Sequence, residues 1–463
     1  MAHPTNTMST PYGVGWHIGA KLGLMLLALA AISVFVSGQT YTDLHDFYPQ
    51  ASAGTVDQGP DGNFYGNGAG GVSHCGIMLR LTPDGDMTVL HEFGYDLHGR
   101  LPSGLTLGAD RKFYGVTVKG GVWDEGTIFS MTSTGDITTL YSFRGGTDGN
   151  LPHFPPIEGV DGNFYGTAFP ELGGVFYRLV PSGGFIRLGS VPDQQFGVLL
   201  LATDGNFYGT SAAGGDTYGG TVFKVTPGGV MTIVHSFSYS SGSRPYAPLL
   251  QGRDGNFYGT TLDGGRYGGG VVFKLTAQGT YTVLHNFGDP TFTNDSGSSV
   301  TAGLIQANDG NYYGVGNGGG STGHGALFKI TPRGTYSIVY SFDWPHGAWP
   351  RSTPRQHTNG KIYGLTEGGG QFGGGVFYSF DLGLQPFIRL VSSVGRPGNT
   401  IDILGQGLTG TISVSFNGAP AEFSILSDTD LIATVPDSVT TGPVSVTTPS
   451  GTLVSDKPFH ALP

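Results

Sequence analysis

Residues 249–287 read LLQGRDGNFYGTTLDGGRYGGGVVFKLTAQGTYTVLHNF, and the fold follows from this stretch. Leu249, Leu250, Gln251 and Gly252 read as a short apolar strand, and Asp254-Gly255 as the hairpin turn after it. Gly takes positive φ without steric cost and Asp tolerates it. A second strand over residues 256–261 sends Phe257 and Tyr258 to opposite faces. A Gly-rich loop leads to a third strand over 271–276, and Gln278-Gly279 turns into a fourth over 281–287. Four short strands joined in this way make one antiparallel sheet. Its apolar side chains point to both faces, so it must be sandwiched between other sheets.

The same pattern recurs along the chain. DGNFYG stands at Asp61, Asp161, Asp204 and Asp254, DRKFYG at Asp110, DGNYYG at Asp309 and a degenerate NGKIYG at Asn359. Successive spacings are 49, 51, 43, 50, 55 and 50 residues, the length of a four-stranded propeller blade. DGNFYGTT, a Gly-rich loop, G(T/V)VFK(L/V)T, a turn and T(V/I)(L/V)HSF together resemble the GloVer-type tandem repeat of exported bacterial proteins, over about residues 41–380. The resemblance implies surface association and brings no catalytic residues with it.

The ends of the array carry the sharpest expectation. The fourth-strand motif appears as MTVLHEF at 87–93, ITTLYSF at 137–143, FIRLGSV at 185–191, MTIVHSF at 231–237, YTVLHNF at 281–287 and YSIVYSF at 336–342. The seventh unit lacks one, and YTDLHDF at 41–47 stands before the first unit with no other strands of its own. The expected fold is therefore all-β, a seven-bladed β-propeller over residues 39–382 closed by an N-terminal strand. Stacking equivalent sheets around an axis buries both faces and removes most exposed edges.

From Pro386 the Gly-rich loops end, and residues 386–463 read as six or seven short alternating strands, the pattern of a small immunoglobulin-like β-sandwich. GNTIDILGQGL at 398–408, VSFNGAPA at 414–421 and ATVPDSVTTGPVSVTTPSG at 433–451 resemble the IPT/TIG domain. Near the N-terminus Lys21 precedes an apolar run, LGLMLLALAAISVFV over 22–36, then Ser37 and Gly38. Fifteen residues are short for a bilayer core of about 30 Å, so residues 1–38 read as a signal peptide, with an uncleaved anchor as the alternative. The mature chain is expected outside the cytoplasm, with no transmembrane helix.

Composition narrows the partners. Of 463 residues, 83 are Gly and 28 Pro, charged residues make up only 12%, and the net charge is −11. No run of Lys and Arg offers a phosphate-binding surface, which argues against nucleic acid as a ligand. Cys75 is the single cysteine, which rules out an intramolecular disulfide and a Cys-based zinc site. No metal and no cofactor is expected.

Connections between blades and second-to-third-strand loops share one predicted face. Trp123, Tyr218 and Tyr267 lie in the latter, and Tyr246, Trp344 and Trp349 in the former. With Asp124, His346 and Glu367 beside them they form the candidate ligand-binding set. Aromatics stack on sugar rings while carboxylates hold hydroxyls, so the expected partner is an extracellular glycan, or an envelope protein. Aromatics capping the Gly-rich loops are the plainer alternative. An extracellular polysaccharide-degrading enzyme, hydrolase or lyase, would need two carboxyls about 5–10 Å apart, for which Asp124, Glu125 and Glu367 are the candidates; a purely structural envelope protein is the third reading. The Asp of DGN reads as a hairpin residue. His45, His91, His235 and His285 alternate with Tyr141 and Tyr340 two places before the fourth-strand Phe, which fits packing with a polar tip.

Overall fold

A computed structural model describes residues 39–48, 53–71, 73–169, 174–192, 198–290 and 300–462. The expected export segment, residues 1–38, lies outside the described residues. Among those described there is no α-helix, and no helix is long and apolar enough to cross a membrane. The described residues are all-β, mostly in antiparallel four-stranded sheets, with one sheet of five strands and one parallel two-stranded pair.

The fifth repeat forms the sheet Leu250–Gln251, Phe257–Thr260, Val271–Leu275 and Tyr281–Asn286, in that spatial order. The turn before Phe257 differs in detail from the expectation. Gly252 N–H bonds the Asn256 carbonyl and Gly255 N–H bonds that of Gly252, so three residues form the turn and only Gly255 takes positive φ, 77°. Asp254 acts through its side chain. Its carboxylate accepts Asn256 N–H at 3.1 Å and the Tyr258 hydroxyl at 2.8 Å. The same pair of bonds recurs at Asp61, Asp161, Asp204 and Asp309. These carboxylates hold each turn to its second strand.

Successive sheets pack face to face through the FYG aromatics. Tyr65 stacks on Phe113 at 4.3 Å, Tyr114 on Phe164 at 3.7 Å, and Tyr208 on Phe257 at 4.2 Å. The last repeat continues onto the first, since Tyr363 lies 4.8 Å from Phe64. One buried core joins Val56, Phe64 and Leu79 of the first sheet to Leu365 and Phe377 of the last and to Phe47. The fourth-strand His/Tyr position faces the next sheet's fourth strand: Tyr141 stacks on Phe185 at 4.1 Å, His235 on Tyr281 at 4.3 Å and His285 on Tyr336 at 3.9 Å.

The N-terminal strand Thr40–Asp46 pairs antiparallel with Val376–Asp381 of the seventh repeat, Thr40 opposite Asp381 and Asp46 opposite Val376. Tyr340 stacks on Tyr41 at 4.4 Å, as the preceding repeats stack on one another. A Cβ at Gly85, in the first sheet's last turn, would run into the Leu44 carbonyl, and one at Gly135 into that of Leu90. The first sheet thus meets the N-terminal strand as the second sheet meets the first.

Two repeats carry a buried phenol hydroxyl that packing leaves without a partner. Opposite the FYG Gly the third strand presents Phe129, Phe223, Phe273 or Phe328, but Tyr177 and Tyr378 in the third and seventh repeats. Both Tyr hydroxyls are buried with no hydrogen-bond partner, and burial raises both phenol pKa values. An unsatisfied buried hydroxyl costs about 1–3 kcal/mol. Tyr177→Phe and Tyr378→Phe are each expected to raise Tm by a few °C in calorimetry; a lowered Tm would mean the hydroxyls are bonded after all.

After residue 386 two further four-stranded sheets form. One runs Arg389–Leu390, Thr400–Leu404, Asp430–Thr434, Phe423–Ser427; the other Ala419–Ala421, Ser413–Phe416, Val444–Thr448, Gly451–Val454. Ile401, Ile403, Val414, Phe416, Leu431 and Val446 share one core. These sheets rest against the DGN turns. Thr429 Oγ1 donates to the Pro60 carbonyl at 2.7 Å, Gln406 Nε2 to Thr358 Oγ1 at 2.9 Å, and Arg253 Nε to the Asp456 carbonyl.

Candidate functional site

The two kinds of loop named from the sequence interlock on one face. Leu101 N–H bonds the Cys75 carbonyl, Leu151 that of Glu125, Arg244 that of Gly219 and Trp349 that of His324. Each donor stands just before a Pro and takes positive φ, 45–59°. Asp124 and Tyr218 also have positive φ, 57° and 58°, at a loop position that is Gly268 in the fifth repeat. Non-glycine residues held there are strained, and such strain concentrates at functional sites.

The structure brings some of the candidate residues together and leaves others apart. Trp344 and Trp349 meet edge to face at 5.3 Å, 44% and 41% exposed, over Gly368. Two residues along, Arg351 pairs with Glu367 at 3.0 Å. His346 shares a 2.7 Å bond between Nδ1 and Asp343 Oδ1, and its carbonyl accepts the Tyr41 hydroxyl, so the N-terminal strand fastens this loop. Trp123 is 59% exposed on the second sheet. Its neighbour Asp124 accepts Gly120 N–H at 2.9 Å and pairs with Arg100 at 2.7 Å; the bond from Arg100 lowers its carboxyl pKa. Tyr218 is 85% exposed on the fourth sheet. Tyr267, on the fifth, carries the Arg266 guanidinium over its ring at 5.3 Å. Tyr246 is half-buried and lines a cavity. Sequence reading missed Tyr48, which stacks on Phe372 at 4.1 Å, and Tyr95, which lies under Arg100 at 5.1 Å. Tyr48 directly follows the N-terminal motif, and that adjacency was the available signal.

The cavity, about 1060 Å³, is lined by the first strands of all seven repeats, with Leu105, Ile157, Leu200, Leu250 and Ile305 among its walls. Each first strand runs from the loop face to a DGN turn. The loop-face end is therefore marked by Tyr246, Arg351 and Glu367, and the opposite end by Arg389 and Lys457 of the C-terminal sheets. At that end Arg389 pairs with Asp57 at 2.6 Å and Arg355 approaches the same carboxylate at 3.9 Å. Burial works against the Asp57 charge, but the two guanidinium groups outweigh it and hold its pKa at about 2. Burial lowers the Lys457 pKa, and Arg389, Arg355 and Arg253 add to the shift. Among the described residues no group of three or more His, Cys, Asp or Glu is placed to hold a metal ion. Cys75 is buried.

Solved structures resemble this arrangement at low identity. Virginiamycin B lyase from Staphylococcus aureus, an inactive variant with quinupristin, superposes with a TM-score of 0.53 at 13% identity, over 74% of this chain and 99% of that one. The WD40 β-propeller domain of Doa1 gives 0.48 at 14%, over 74% and 97%. Likeness at this level concerns the fold alone. No curated protein matches the chain. Residues 31–191 and 194–413 match the Gloeobacter/Verrucomicrobia repeat, and residues 386–461 match the IPT/TIG domain. The protein belongs to the Gloeobacter/Verrucomicrobia repeat family and carries an IPT/TIG domain at its C-terminal end.

Proposed function

We propose that the protein is an exported, cell-surface or secreted binding scaffold that takes an extracellular glycan on its loop face and performs no catalysis. In this reading residues 1–38 are the export signal, and residues 39–382 are a seven-bladed propeller closed by the N-terminal strand. Residues 386–463 are an immunoglobulin-like sandwich behind it. The observation that carries the binding role is the exposed Trp344–Trp349 pair, held rigid by the strained backbone at Trp349. Exposed large aromatics on a fixed scaffold are what stacking on sugar rings requires. The acids of this face favour binding over hydrolysis. A general acid needs a raised pKa, whereas Asp124 is lowered by its bond from Arg100, and Glu367 is tied to Arg351.

A glycan array probed with the full chain is expected to retain a subset of glycans. Trp349→Ala or Trp344→Ala should weaken that binding by about tenfold or more, about 1.4 kcal/mol, with no release of reducing ends by the parent protein. Binding unchanged in both variants would remove the loop-face reading. Reducing-end release that disappears in Glu367→Gln would replace it with an enzymatic one.

A further inference from the structure

The cavity enclosed by the first strands is chemically unlike the loop face. Its walls carry aliphatic side chains from five different repeats, Leu105, Ile157, Leu200, Leu250 and Ile305, set among polar ones such as Thr106 and Gln306. The aliphatic side chains offer contact area to an apolar body. Charge gathers at the end formed with the C-terminal sheets. Arg355 and Arg389 converge there on Asp57, which answers both. Lys457 stands beside them, and among the described residues its ammonium has neither a hydrogen bond nor a carboxylate within ion-pair distance. Asp456 also acts on this cluster. With Arg253, four cations thus face two acids, and the half-buried Lys457 ammonium is left without a partner among the described residues. A half-buried ammonium with no carboxylate in ion-pair distance is placed to pair with an anion arriving from solvent. The remaining acids on the lining are occupied elsewhere: Glu158 accepts Ala109 N–H, Asp161 holds its own turn, and Glu367 is paired with Arg351.

We propose that this cavity binds one small organic anion with an apolar body, such as an aliphatic carboxylate, its headgroup on Lys457 and its chain along the leucine-lined walls. The volume of about 1060 Å³ is at the upper end for small-molecule sites and admits a medium-length acyl chain. The carboxylate would accept charge-assisted hydrogen bonds from the ammonium. The charged end lies opposite the loop-face end marked by Tyr246, so the site stands whether or not Trp344 and Trp349 bind a glycan.

Isothermal titration of the full chain with decanoate tests the proposal, with decyltrimethylammonium and glucuronate as controls of charge and of apolar body. Decanoate is expected to bind one to one and the two controls at least tenfold more weakly. Lys457→Gln should weaken decanoate at least tenfold while the circular dichroism spectrum is unchanged. Should Lys457→Gln not fold, Ile157→Trp, which fills the wall and leaves every charge in place, carries the same expectation. No heat with decanoate, equal binding of decyltrimethylammonium, or undiminished affinity in a folded variant would overturn it.

Discussion

Removal of residues 39–48 is expected to abolish the cooperative melting transition rather than to lower it. That segment supplies a seven-residue strand to the last sheet, and with it Tyr41 and Phe47. Phe47 is 1% exposed and shares its core with the first and last repeats together. Tyr41 packs against Tyr340, Phe342, Tyr378 and Phe380. Loss of one buried aromatic costs about 3–5 kcal/mol, and total stability is typically about 5–15 kcal/mol. Two aromatics, about 6–10 kcal/mol if both were fully buried, and a ladder of backbone bonds take up most of that margin. The loss would also bare the edge of Val376–Asp381, a template for aggregation. Calorimetry should show no sharp transition in the shortened chain, while Phe47→Ala alone lowers Tm and keeps a single transition. A shortened chain that melts like the full one would mean the strand is an ornament.

The second large effect lies at Arg111. Where the other repeats place Gly in the DGN turn, with φ of 73–94°, the second repeat holds Arg111 at φ 66°. An Arg costs roughly 1 kcal/mol more than Gly in that conformation. Its side chain explains its presence: the guanidinium pairs with Asp430 and approaches Asp402 at 3.6 Å, two buried acids of the C-terminal sheets. Burial, with Asp430 nearby, lifts the Asp402 pKa to about 6. Arg111→Met leaves both acids without their counter-ion, at a cost of about 3–5 kcal/mol near neutral pH. At pH 5 Asp402 takes up a proton, and the loss of Tm should shrink. The parent protein shows the same linkage with a smaller amplitude. Because the folded pKa of Asp402 stands above 3.8, its contribution is fully present below about pH 4 and fades as the pH rises through about 6. Asp402→Asn should flatten that slope. Equal losses at pH 5 and pH 7.5 in Arg111→Met would contradict the assignment.

Periodicity exposed the sheets and the N-terminal strand because both are local patterns. A seven-residue motif at Tyr41 carries its own signature, and the exchange of His for Tyr at position 285 or 340 reports a stacking site. The loop-face aromatics were legible for the same reason, since loop type determines face. What they touch was not: Asp124 read as free to hold a hydroxyl, yet Arg100, 24 residues away, already holds it. Least legible was the charged end of the cavity. Asp57 and Arg389 meet across 332 residues, and Lys457 arrives from the far end of the chain. No spacing rule links such positions; only the seating of the C-terminal sheets on the DGN turns does. Arg111 was a partial exception. DRK in place of DGN breaks the repeat, and a broken repeat at a strained position marks a residue retained for its side chain.

Joining the chain ends covalently tests the central claim, that residues 40–46 complete the seventh sheet. Thr40 and Asp381 are direct cross-strand partners, and antiparallel partners stand about 4.5–5.5 Å apart at Cα, within disulfide reach. Cys75 is 2% exposed and does not compete. Oxidised Thr40→Cys/Asp381→Cys protein should run as a cross-linked monomer under denaturing, non-reducing conditions and melt at a higher temperature than its reduced form. Cross-links only between chains, or none in a natively folded protein, would contradict the claim.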